Sequence, residues 1–298
     1  MDSQTAVKNL IDGLAVSAFV KEELKGKIAQ VSGLPDYPRK PGLAVVLVGE
    51  DPASQTYVKS KIAACEAVGI ISFHHRLPAT VSVEEVKDLV RKLNADSEVD
   101  GILVQLPLPN KMPAQEVIAL IDADKDVDGL TAVNQGRLSL GLPGLFPCTP
   151  LGVMRLLEHY KVPIAGKTAV VVGRSALVGK PIAQMLLAKD ATVTVCHSKT
   201  ANLKEVCLSA DILVAACGRA NMVKGDWVKQ GSVVIDVGIN RIEVDGKGKL
   251  TGDVDFPAAS ERASLITPVP KGVGPMTVAL LLCNTFESYL RRMACHKA

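Results

Sequence analysis

The sequence predicts an α/β protein with two domains, an N-terminal α/β domain and a second, Rossmann-like domain built on a parallel sheet. Three observations predict this fold class. Short apolar runs alternate with segments of helical periodicity, a pattern typical of parallel sheets covered by helices on both faces. The 298 residues are long for one domain and suit two. A charge-free stretch rich in glycine and proline, residues 139–150, is the best candidate boundary.

Six apolar runs are predicted to form short buried strands, and helices are predicted between them. The strands are residues 43–49, 101–105, 169–173, 192–196, 211–217 and 232–238. The helices are residues 54–69, 83–95 and 180–190, where apolar side chains recur at helical spacing. Thr149 and Pro150 suit an N-cap and a first helical residue, so a helix of about ten residues is expected to lead into the second domain. Residues 276–294 predict a long helix with basic residues near its end, which suits the helix dipole.

Composition excludes several classes of protein. The formal charge of +3 provides no field for nucleic acid or an anionic membrane, and 3% aromatic residues argue against a base-stacking platform. Seven scattered cysteines without a C-x-x-C pair fit a reducing compartment. No apolar run reaches the roughly 18 residues that span a bilayer, and the N-terminus lacks the basic region of a secretory signal. We therefore expect a cytoplasmic protein that binds neither nucleic acid nor membrane.

Residues 169–181 predict a nucleotide-binding turn. Their sequence, AVVVGRSALVGKP, is a strand followed by a turn with Gly173 and Gly179 and then the start of a helix, whose amides would face a pyrophosphate. Five residues separate the glycines, so the spacing is not the usual G-x-G-x-x-G, and a tight turn without a ligand would show the same pattern.

The next strand favours NADP over NAD. A unit that prefers NAD usually places a carboxylate at the end of the second strand for the ribose 2′-hydroxyl, whereas this strand ends in Cys-His-Ser-Lys, residues 196–199. Arg174 adds a positive charge suited to a phosphate, and Ser198 lies at the strand end. The alternative is that Arg174 is a solvated loop charge and Ser198 a helix N-cap.

Two further segments carry candidate chemistry. Tyr57 and Lys61 are four residues apart and fall on one helix face, although a tyrosine and a lysine at this spacing are also common on solvated faces. Gln105 ends a buried strand and precedes Pro107 and Pro109, and ligands of open parallel sheets lie outside such carboxyl ends. A strand end stiffened by prolines, with an X-Pro bond open to the cis form, is the alternative.

Residues 122–131 hold four aspartates without the spacing of an EF-hand, and no histidine pair has metal-ligand spacing, so no metal is predicted. We expect Asp122, Asp124 and Asp126 on a surface turn, and Asp128 inward because Val127 and Leu130 flank it. The glycine- and proline-rich residues 266–277 suit close approach to a ligand.

Together these segments resemble the bifunctional methylenetetrahydrofolate dehydrogenase/methenyltetrahydrofolate cyclohydrolase family. The matching stretches run in the family's order and are PASQTYVKSK, DGILVQLPLP, DKDVDGLTAVNQGRL, PCTPLGV, GKTAVVVGRSALVGKP, ATVTVCHSKT, VVIDVGIN, GDVDF and ITPVPKGVGPMTVALL. The resemblance implies oxidation of 5,10-methylenetetrahydrofolate by NADP and hydrolysis of the methenyl product to 10-formyltetrahydrofolate. It also implies a homodimer, a folate domain of residues 1–149 plus 278–298, an NADP domain of residues 150–277, and a cleft between them.

The resemblance assigns roles to residues at the matching positions. Lys61 is implied to be the essential catalytic lysine, Tyr57 to stack in the folate site, Gln105 to support Lys61, and Asp128 to hold the pterin edge. The implied substrate-binding residues are Tyr57, Lys61, Val104, Gln105, Leu106, Asp128, Pro270, Gly272, Val273, Gly274 and Pro275. The implied cofactor-binding residues are Gly173, Arg174, Ser175, Ser198 and Ile239.

The chain departs from the family's PVPGGVGP pattern at Lys271, which stands in place of a glycine. A residue with a side chain does not freely adopt positive φ, so the loop's conformation is open, and the added charge is placed to meet the glutamate carboxylates of a folate. Two alternatives remain, an NADP-dependent dehydrogenase without hydrolase activity or with another small substrate, and a nucleotide-sensing protein without catalysis. No domain for ATP-driven formate ligation is expected.

Overall fold

A computed structural model of the chain describes residues 9–244 and 246–295. The helices are α1 (Gly13–Val31), α2 (Pro52–Val68), α3 (Val83–Ala95), α4 (Ala114–Ile118), α5 (Ala132–Ser139), α6 (Cys148–His159), α7 (Gly179–Leu187), α8 (Leu203–Leu208), α9 (Phe256–Ser260) and α10 (Gly274–Cys295). The strands are β1 (Gly42–Val48), β2 (Ile71–Leu77), β3 (Gly101–Val104), β4 (Thr168–Val172), β5 (Thr192–Cys196), β6 (Ile212–Ala215), β7 (Val233–Asp236), β8 (Asn240–Val244), β9 (Lys247–Thr251) and β10 (Leu265–Ile266). Among the described residues, no helix combines the length and apolar character needed to cross a bilayer.

The chain divides into two units. Residues 18–148 and 278–295 form one, and residues 9–17 and 149–277 form the other. The sequence prediction had placed residues 9–17 in the first of these. They belong to the second because the segment pairs with strand β10, where the Ile11 amide donates to the Ile266 carbonyl at 2.8 Å and the Ile266 amide donates to the Asn9 carbonyl at 2.9 Å. Ile11 is fully buried there.

The unit of residues 18–148 and 278–295 contains a parallel sheet in the order β2-β1-β3. Strand β1 is buried on both faces, so its alternate residues enter two cores. Leu43 and Val45 join the core that includes side chains of α2 and α10, and Ala44 and Val46 join the core that includes α3 and α4. Each fully buried valine or leucine side chain of these cores contributes roughly 1.5–3 kcal/mol to folding.

The unit of residues 9–17 and 149–277 contains a parallel sheet in the order β10-β7-β6-β4-β5, with a separate antiparallel hairpin of β8 and β9. Strand β4 lies between β5 and β6, so the chain leaves β4 in one direction and returns on its other side. This reversal of strand order is the topological switch point at which doubly wound sheets bind ligands.

The α/β class and the predicted strands and helices are confirmed, with shifted ends. Three details differ. Strand β5 was predicted to be buried, but it is an edge strand with exposed Thr192 and Val195. Helix α6 begins at Cys148, so Thr149 is inside it and shares a hydrogen bond with the Thr277 hydroxyl at 2.9 Å instead of capping the helix. The elements without a prediction are helices α1, α4, α5, α8 and α9 and strands β2, β8, β9 and β10.

Candidate active site

Lys61 is the centre of the first site. Helix α2 begins where the Asp51 carboxylate accepts a hydrogen bond from the Ser54 amide at 2.7 Å. This start places Lys61 on the buried face of the helix, with 9% of its surface exposed. Its Nζ donates to Gln105 Oε1 at 2.9 Å. Two residues that lie 44 positions apart in the sequence are therefore in direct contact.

Gln105 is held by backbone groups. Its amide donates to the Val46 carbonyl at 2.9 Å, which continues the pairing with β1 beyond the end of β3. Its Nε2 donates to the Leu106 carbonyl at 2.7 Å, and the following peptide bond to Pro107 is cis. Because the side-chain nitrogen is engaged, the side-chain oxygen faces Lys61. A neutral acceptor orients the amine without stabilising its protonated form as strongly as a carboxylate would.

The charges of Lys61 and Asp128 act on each other in this site. Burial lowers the pKa of the Lys61 amino group below its ordinary value, and the negative charge of Asp128 opposes this shift. Burial likewise raises the pKa of the Asp128 carboxyl group, and the positive charge of Lys61 opposes that. Tyr57, one turn before Lys61 on α2, is 48% exposed, so its ring is accessible for stacking. The site therefore combines a lysine whose pKa is lowered by burial, an aspartate whose pKa is raised by burial, and an accessible ring.

The turn that contains Asp128 is stabilised by Gly129, Asn284 and Cys148, which the sequence does not predict as site residues. Gly129 has φ of 68°, and a Cβ there would lie 2.3 Å from the Phe146 carbonyl carbon, so the turn requires glycine. Asn284 on α10 donates to the carbonyls of Val127 at 2.8 Å and Phe146 at 2.9 Å. The Cys148 thiol also donates to the Val127 carbonyl, at 3.2 Å. The sequence contained no signal for Asn284, which lies in the middle of a helical pattern.

Asp126 is not on the surface, contrary to the sequence prediction. It is 1% exposed and accepts hydrogen bonds from the amides of Leu130 and Thr131 and from the Asn134 side chain. Its carboxylate thus satisfies donors at the start of α5. Asp122 and Asp124 are exposed, as predicted.

Two of the implied substrate-binding residues lie at the end of β3. Val104 is the last residue of this strand, and Leu106 is two residues beyond it. The Val104 side chain packs into the hydrophobic core with Val86 and Val90, so a ligand contact there would have to come from its backbone. Leu106 is partly buried, and its carbonyl accepts the hydrogen bond from Gln105.

The glycine turn after β4 has the geometry of a phosphate site. Gly173 has φ of 130°, and a Cβ there would lie 2.0 Å from the Ala216 carbonyl oxygen. A Cβ at Gly179 would lie 2.3 Å from the Gly173 carbonyl oxygen. The Ser175 hydroxyl accepts from the Val178 amide at 3.1 Å, which shapes the turn. Within the described residues, the amides of 174–177 donate to no protein acceptor, so they are available to an anion.

A cavity of about 320 Å³ lies beside this turn. The ends of β4, β5 and β6 line it with Val172, Gly173, Arg174, Ser175, His197, Ser198, Ala216, Cys217, Arg219 and Met222. Four of the five implied cofactor residues therefore meet in one cavity. The lining residues include two arginines, Arg174 and Arg219, and no aspartate or glutamate, which fits a nucleotide phosphate.

The fifth implied cofactor residue, Ile239, lies beside the loop of residues 270–275. Its side chain is 51% exposed, and its Cδ1 would be 3.8 Å from a Cβ at Gly274. The start of α1 supports this loop: the Ser17 hydroxyl donates to the Pro275 carbonyl at 3.0 Å. Gly13 makes close contact with the Gly272 carbonyl, leaving no room for a Cβ. In this loop Pro270 and Gly274 are exposed, whereas Gly272 and Val273 are buried.

Lys271 adopts the positive φ that favours glycine. Its φ is 82°, and its carbonyl accepts from the Leu14 amide at 3.1 Å. The loop thus keeps a glycine-like conformation although a lysine occupies the position, at a cost of roughly 1–2 kcal/mol for a residue with a Cβ.

A doubly wound parallel sheet with a glycine turn and a cationic cavity at its switch point defines the class of dinucleotide-binding proteins. Comparison with known families narrows this class. The tetrahydrofolate dehydrogenase/cyclohydrolase catalytic domain matches residues 11–128, and the NAD(P)-binding domain of the same family matches residues 147–293. The chain belongs to the tetrahydrofolate dehydrogenase/cyclohydrolase family.

Relatives in bacteria and a protozoan are similar over nearly the whole chain. The bifunctional protein FolD of Sphingopyxis alaskensis is 54% identical over 286 residues, which cover 95% of this chain and 94% of the relative. The crystal structure of FolD from Campylobacter jejuni has a TM-score of 0.91 and 49% identity, covering 95% of this chain and 99% of that one. The Trypanosoma brucei enzyme, solved with NADP and an inhibitor, has a TM-score of 0.90 and 40% identity, covering 95% and 97%.

Proposed function

We propose that this chain is a bifunctional enzyme of one-carbon folate metabolism. It oxidises 5,10-methylenetetrahydrofolate to 5,10-methenyltetrahydrofolate with NADP⁺ and hydrolyses the product to 10-formyltetrahydrofolate. The observation that carries the proposal is the buried Lys61 amine in contact with the neutral Gln105 oxygen, in the segment that matches the family's catalytic domain.

Lys61 has the properties that hydrolysis requires. Water attacks the methenyl carbon and must lose a proton, and the ring nitrogen that leaves must gain one. Because burial lowers the pKa of Lys61, its Nζ has a lone pair available at a lower pH than a free lysine would. Lys61 accepts the proton from the attacking water, and Gln105 fixes the direction of the amine.

Oxidation makes a different demand on the protein. NADP⁺, when bound, supplies the hydride acceptor, and a substrate nitrogen lone pair stabilises the resulting cation. No side chain has to remove a proton, so the residues of this chain contribute by holding the substrate in position. Asp128 holds the pterin edge and the Tyr57 ring stacks on the substrate.

The cofactor is held by the second unit. Arg174 and Ser198 bind the 2′-phosphate, and the free amides of residues 174–177 bind the pyrophosphate. The residues present fit this group, because the glycines leave room for close approach and no carboxylate lines the cavity.

The function is tested by spectroscopic assay of the purified protein with methylenetetrahydrofolate and either NADP⁺ or NAD⁺. We expect NADPH formation and a separate disappearance of methenyltetrahydrofolate faster than the uncatalysed rate. NADPH formation without hydrolysis would leave the narrower dehydrogenase function. NADPH binding without any folate-dependent absorbance change would indicate another substrate.

We further propose that the enzyme is a cytoplasmic homodimer. The resemblance to the bifunctional family supports the dimer, and the sequence features described above support the compartment. Sedimentation equilibrium of the purified protein measures the oligomeric state, and a monomer at micromolar concentration would refute the dimer.

A further inference from the structure

The GDVDF stretch has no assigned role in the proposed function, yet its first aspartate, Asp253, organises the wall of the nucleotide cavity. Asp253 is fully buried. Its Oδ2 accepts hydrogen bonds from the amides of Cys217 at 2.6 Å and Gly218 at 2.9 Å, and its Oδ1 accepts from the amide of Arg219 at 2.8 Å. Three successive amides thus surround one carboxylate.

This carboxylate determines where Arg219 lies. The Arg219 backbone is bound directly to Asp253, and Gly218 with φ of 65° bends the chain around it. Asn240 donates to the same carboxylate oxygen at 2.8 Å, which links the loop after β6 to the segment after β7. The position of Arg219 in the cavity wall therefore depends on a contact 34 residues away in the sequence.

Arg219 is also an unpaired charge in a cavity that already contains Arg174. Its side chain is exposed, and within the described residues no carboxylate lies within ion-pair distance of either guanidinium group. The cavity contains Ser198 at the end of β5 but not Ile239 after β7. In a doubly wound sheet the adenosine ribose lies at the end of the second strand, so this cavity corresponds to the adenosine end of the cofactor. The group at that end which NADP has and NAD lacks is the 2′-phosphate.

We propose that Arg219 is a second arginine that binds the 2′-phosphate of NADP beside Arg174, and that Asp253 is the positioning residue that holds it there. The inference rests on the proposed function, because it requires that the chain binds NADP. A dianionic phosphate facing two guanidinium groups is better neutralised than one facing Arg174 alone.

The test measures the Kd of the ligand-free protein for NADP⁺ and for NAD⁺ by titration calorimetry, so it does not depend on catalysis. Arg219→Ala should raise the Kd for NADP⁺ by at least about tenfold and leave the Kd for NAD⁺ unchanged, since it removes one charge-assisted contact. Arg174→Ala is the positive control. Arg91→Ala is the control for net charge, because that exposed arginine pairs only with exposed Asp88 on α3 among the described residues. An unchanged Kd for NADP⁺, an equal loss for both cofactors, or the same loss in Arg91→Ala would overturn the assignment of Arg219.

Failure of the proposed function has a different signature. If the wild-type protein does not bind NADP⁺, or binds both cofactors equally, the proposed cofactor is wrong regardless of the effect of Arg219→Ala on either Kd. If the wild type prefers NADP⁺ and Arg219→Ala keeps that preference, only the inference fails. Because Arg219 is exposed, its replacement leaves no buried group unpaired, and the measurement is made on a folded protein.

Asp253→Asn tests the positioning role. The amide retains one acceptor oxygen and presents a donor to the remaining N–H groups, so the Arg219 segment should shift and the preference for NADP⁺ over NAD⁺ should fall. In the double variant, Asp253→Asn should cause no further loss of NADP⁺ preference beyond that of Arg219→Ala. Both changes act on the same contact between Arg219 and the cofactor, so their effects should not add. A loss of preference that adds to that of Arg219→Ala would show that Asp253 acts elsewhere. If Asp253→Asn does not fold, Asn240→Ala replaces it in the same double-mutant comparison, because it removes one hydrogen-bond donor to the Asp253 carboxylate.

Discussion

Replacing Lys61 by methionine separates the two reactions. The variant keeps most of the side chain's length and its apolar stem but removes the amine that donates to Gln105 at 2.9 Å. Loss of a general acid or base costs roughly 10²–10⁴-fold in rate, which corresponds to about 2.7–5.4 kcal/mol in the activation barrier. We therefore expect methenyltetrahydrofolate hydrolysis to fall by that factor. Oxidation should fall less, since it requires positioning without proton removal.

The same substitution has a small expected effect on folding. Lys61 is 9% exposed, and burial disfavours its charged form, so an apolar side chain at this position removes that penalty. The Gln105 oxygen loses a partner, which costs about 1–3 kcal/mol if it stays unpaired. These effects oppose each other, so the melting temperature should change little. A loss of activity in the variant would then reflect the missing amine and not unfolding.

The pH dependence of hydrolysis reports the ionisation of Lys61. The folded pKa of Lys61 is lowered, so the free amine accumulates as pH rises, and it does so below the pH at which a free lysine titrates. Wild-type hydrolysis should rise with pH through the pKa of Lys61, and Lys61→Met should lose this rise. The assay follows methenyltetrahydrofolate absorbance, corrected for the uncatalysed rate, beside NADPH formation in the same variant. Lys59→Met, an exposed lysine on the same helix, is the matched control.

Near wild-type hydrolysis by a folded Lys61→Met variant would remove Lys61 from proton transfer. Loss of both activities in equal proportion would favour a shared positioning role. In the first case water activation would have to come from Tyr57, Gln105 or Asp128.

Four further predictions follow from named contacts. Asp128→Ala should weaken binding of a folate analogue by about 1–3 kcal/mol because the ligand's donors lose their acceptor; unchanged affinity in calorimetry would assign Asp128 to the turn alone. Arg174→Ala should lower kcat/KM for NADP⁺ by an amount equivalent to roughly 1.5–3 kcal/mol and leave NAD⁺ nearly unaffected, and equal losses would contradict 2′-phosphate binding. Lys271→Gly should stabilise the ligand-free protein by up to about 1 kcal/mol, as relief of strain at φ of 82° outweighs the backbone entropy of glycine; Lys271→Ala, which keeps a Cβ, should show no such gain in thermal unfolding. Lys125→Met should destabilise by about 1–3 kcal/mol because the buried amine donates to the carbonyls of Leu93, Asn94 and Asp96. Burial lowers the pKa of Lys125 to about 8, so the unfolded chain binds more protons above that pH, and wild-type stability should rise from pH 8 toward 10 while the variant lacks this rise.

The cofactor turn was largely predictable from sequence because its determinants are local. Gly173, Arg174 and Ser175 follow one another, and Ser198 follows the next strand, so strand order alone brings them to one edge. The same reasoning placed Gln105 at a carboxyl end. It did not find Arg219, because whether a charge after β6 faces the cavity depends on the path of the loop.

Strand β2 and helix α1 show two different reasons for a missed element. Strand β2 is an edge strand with His74, His75 and Arg76 and no continuous apolar run, so the signal of a buried strand is weak there. Helix α1 did carry a signal, since Val16, Val20, Leu24 and Ile28 recur every four residues and are buried. The first omission follows from the chemistry of an edge strand, whereas helix α1 is predictable from its helical period.

The sequence by itself determined the alternation of strands and helices, the glycine turn, the absence of an acid after the second strand and the residue types of the catalytic site. These properties depend on neighbouring residues and on the period with which apolar side chains recur. Only the tertiary structure decided that Asp126 and Asp253 are buried, that residues 9–17 extend the sheet at β10, and that Asn284 supports the turn of Asp128. Each of these depends on hydrogen bonds to groups brought near by the fold. A buried carboxylate is stable only where hydrogen-bond donors surround it, and the sequence around the aspartate does not specify where those donors come from.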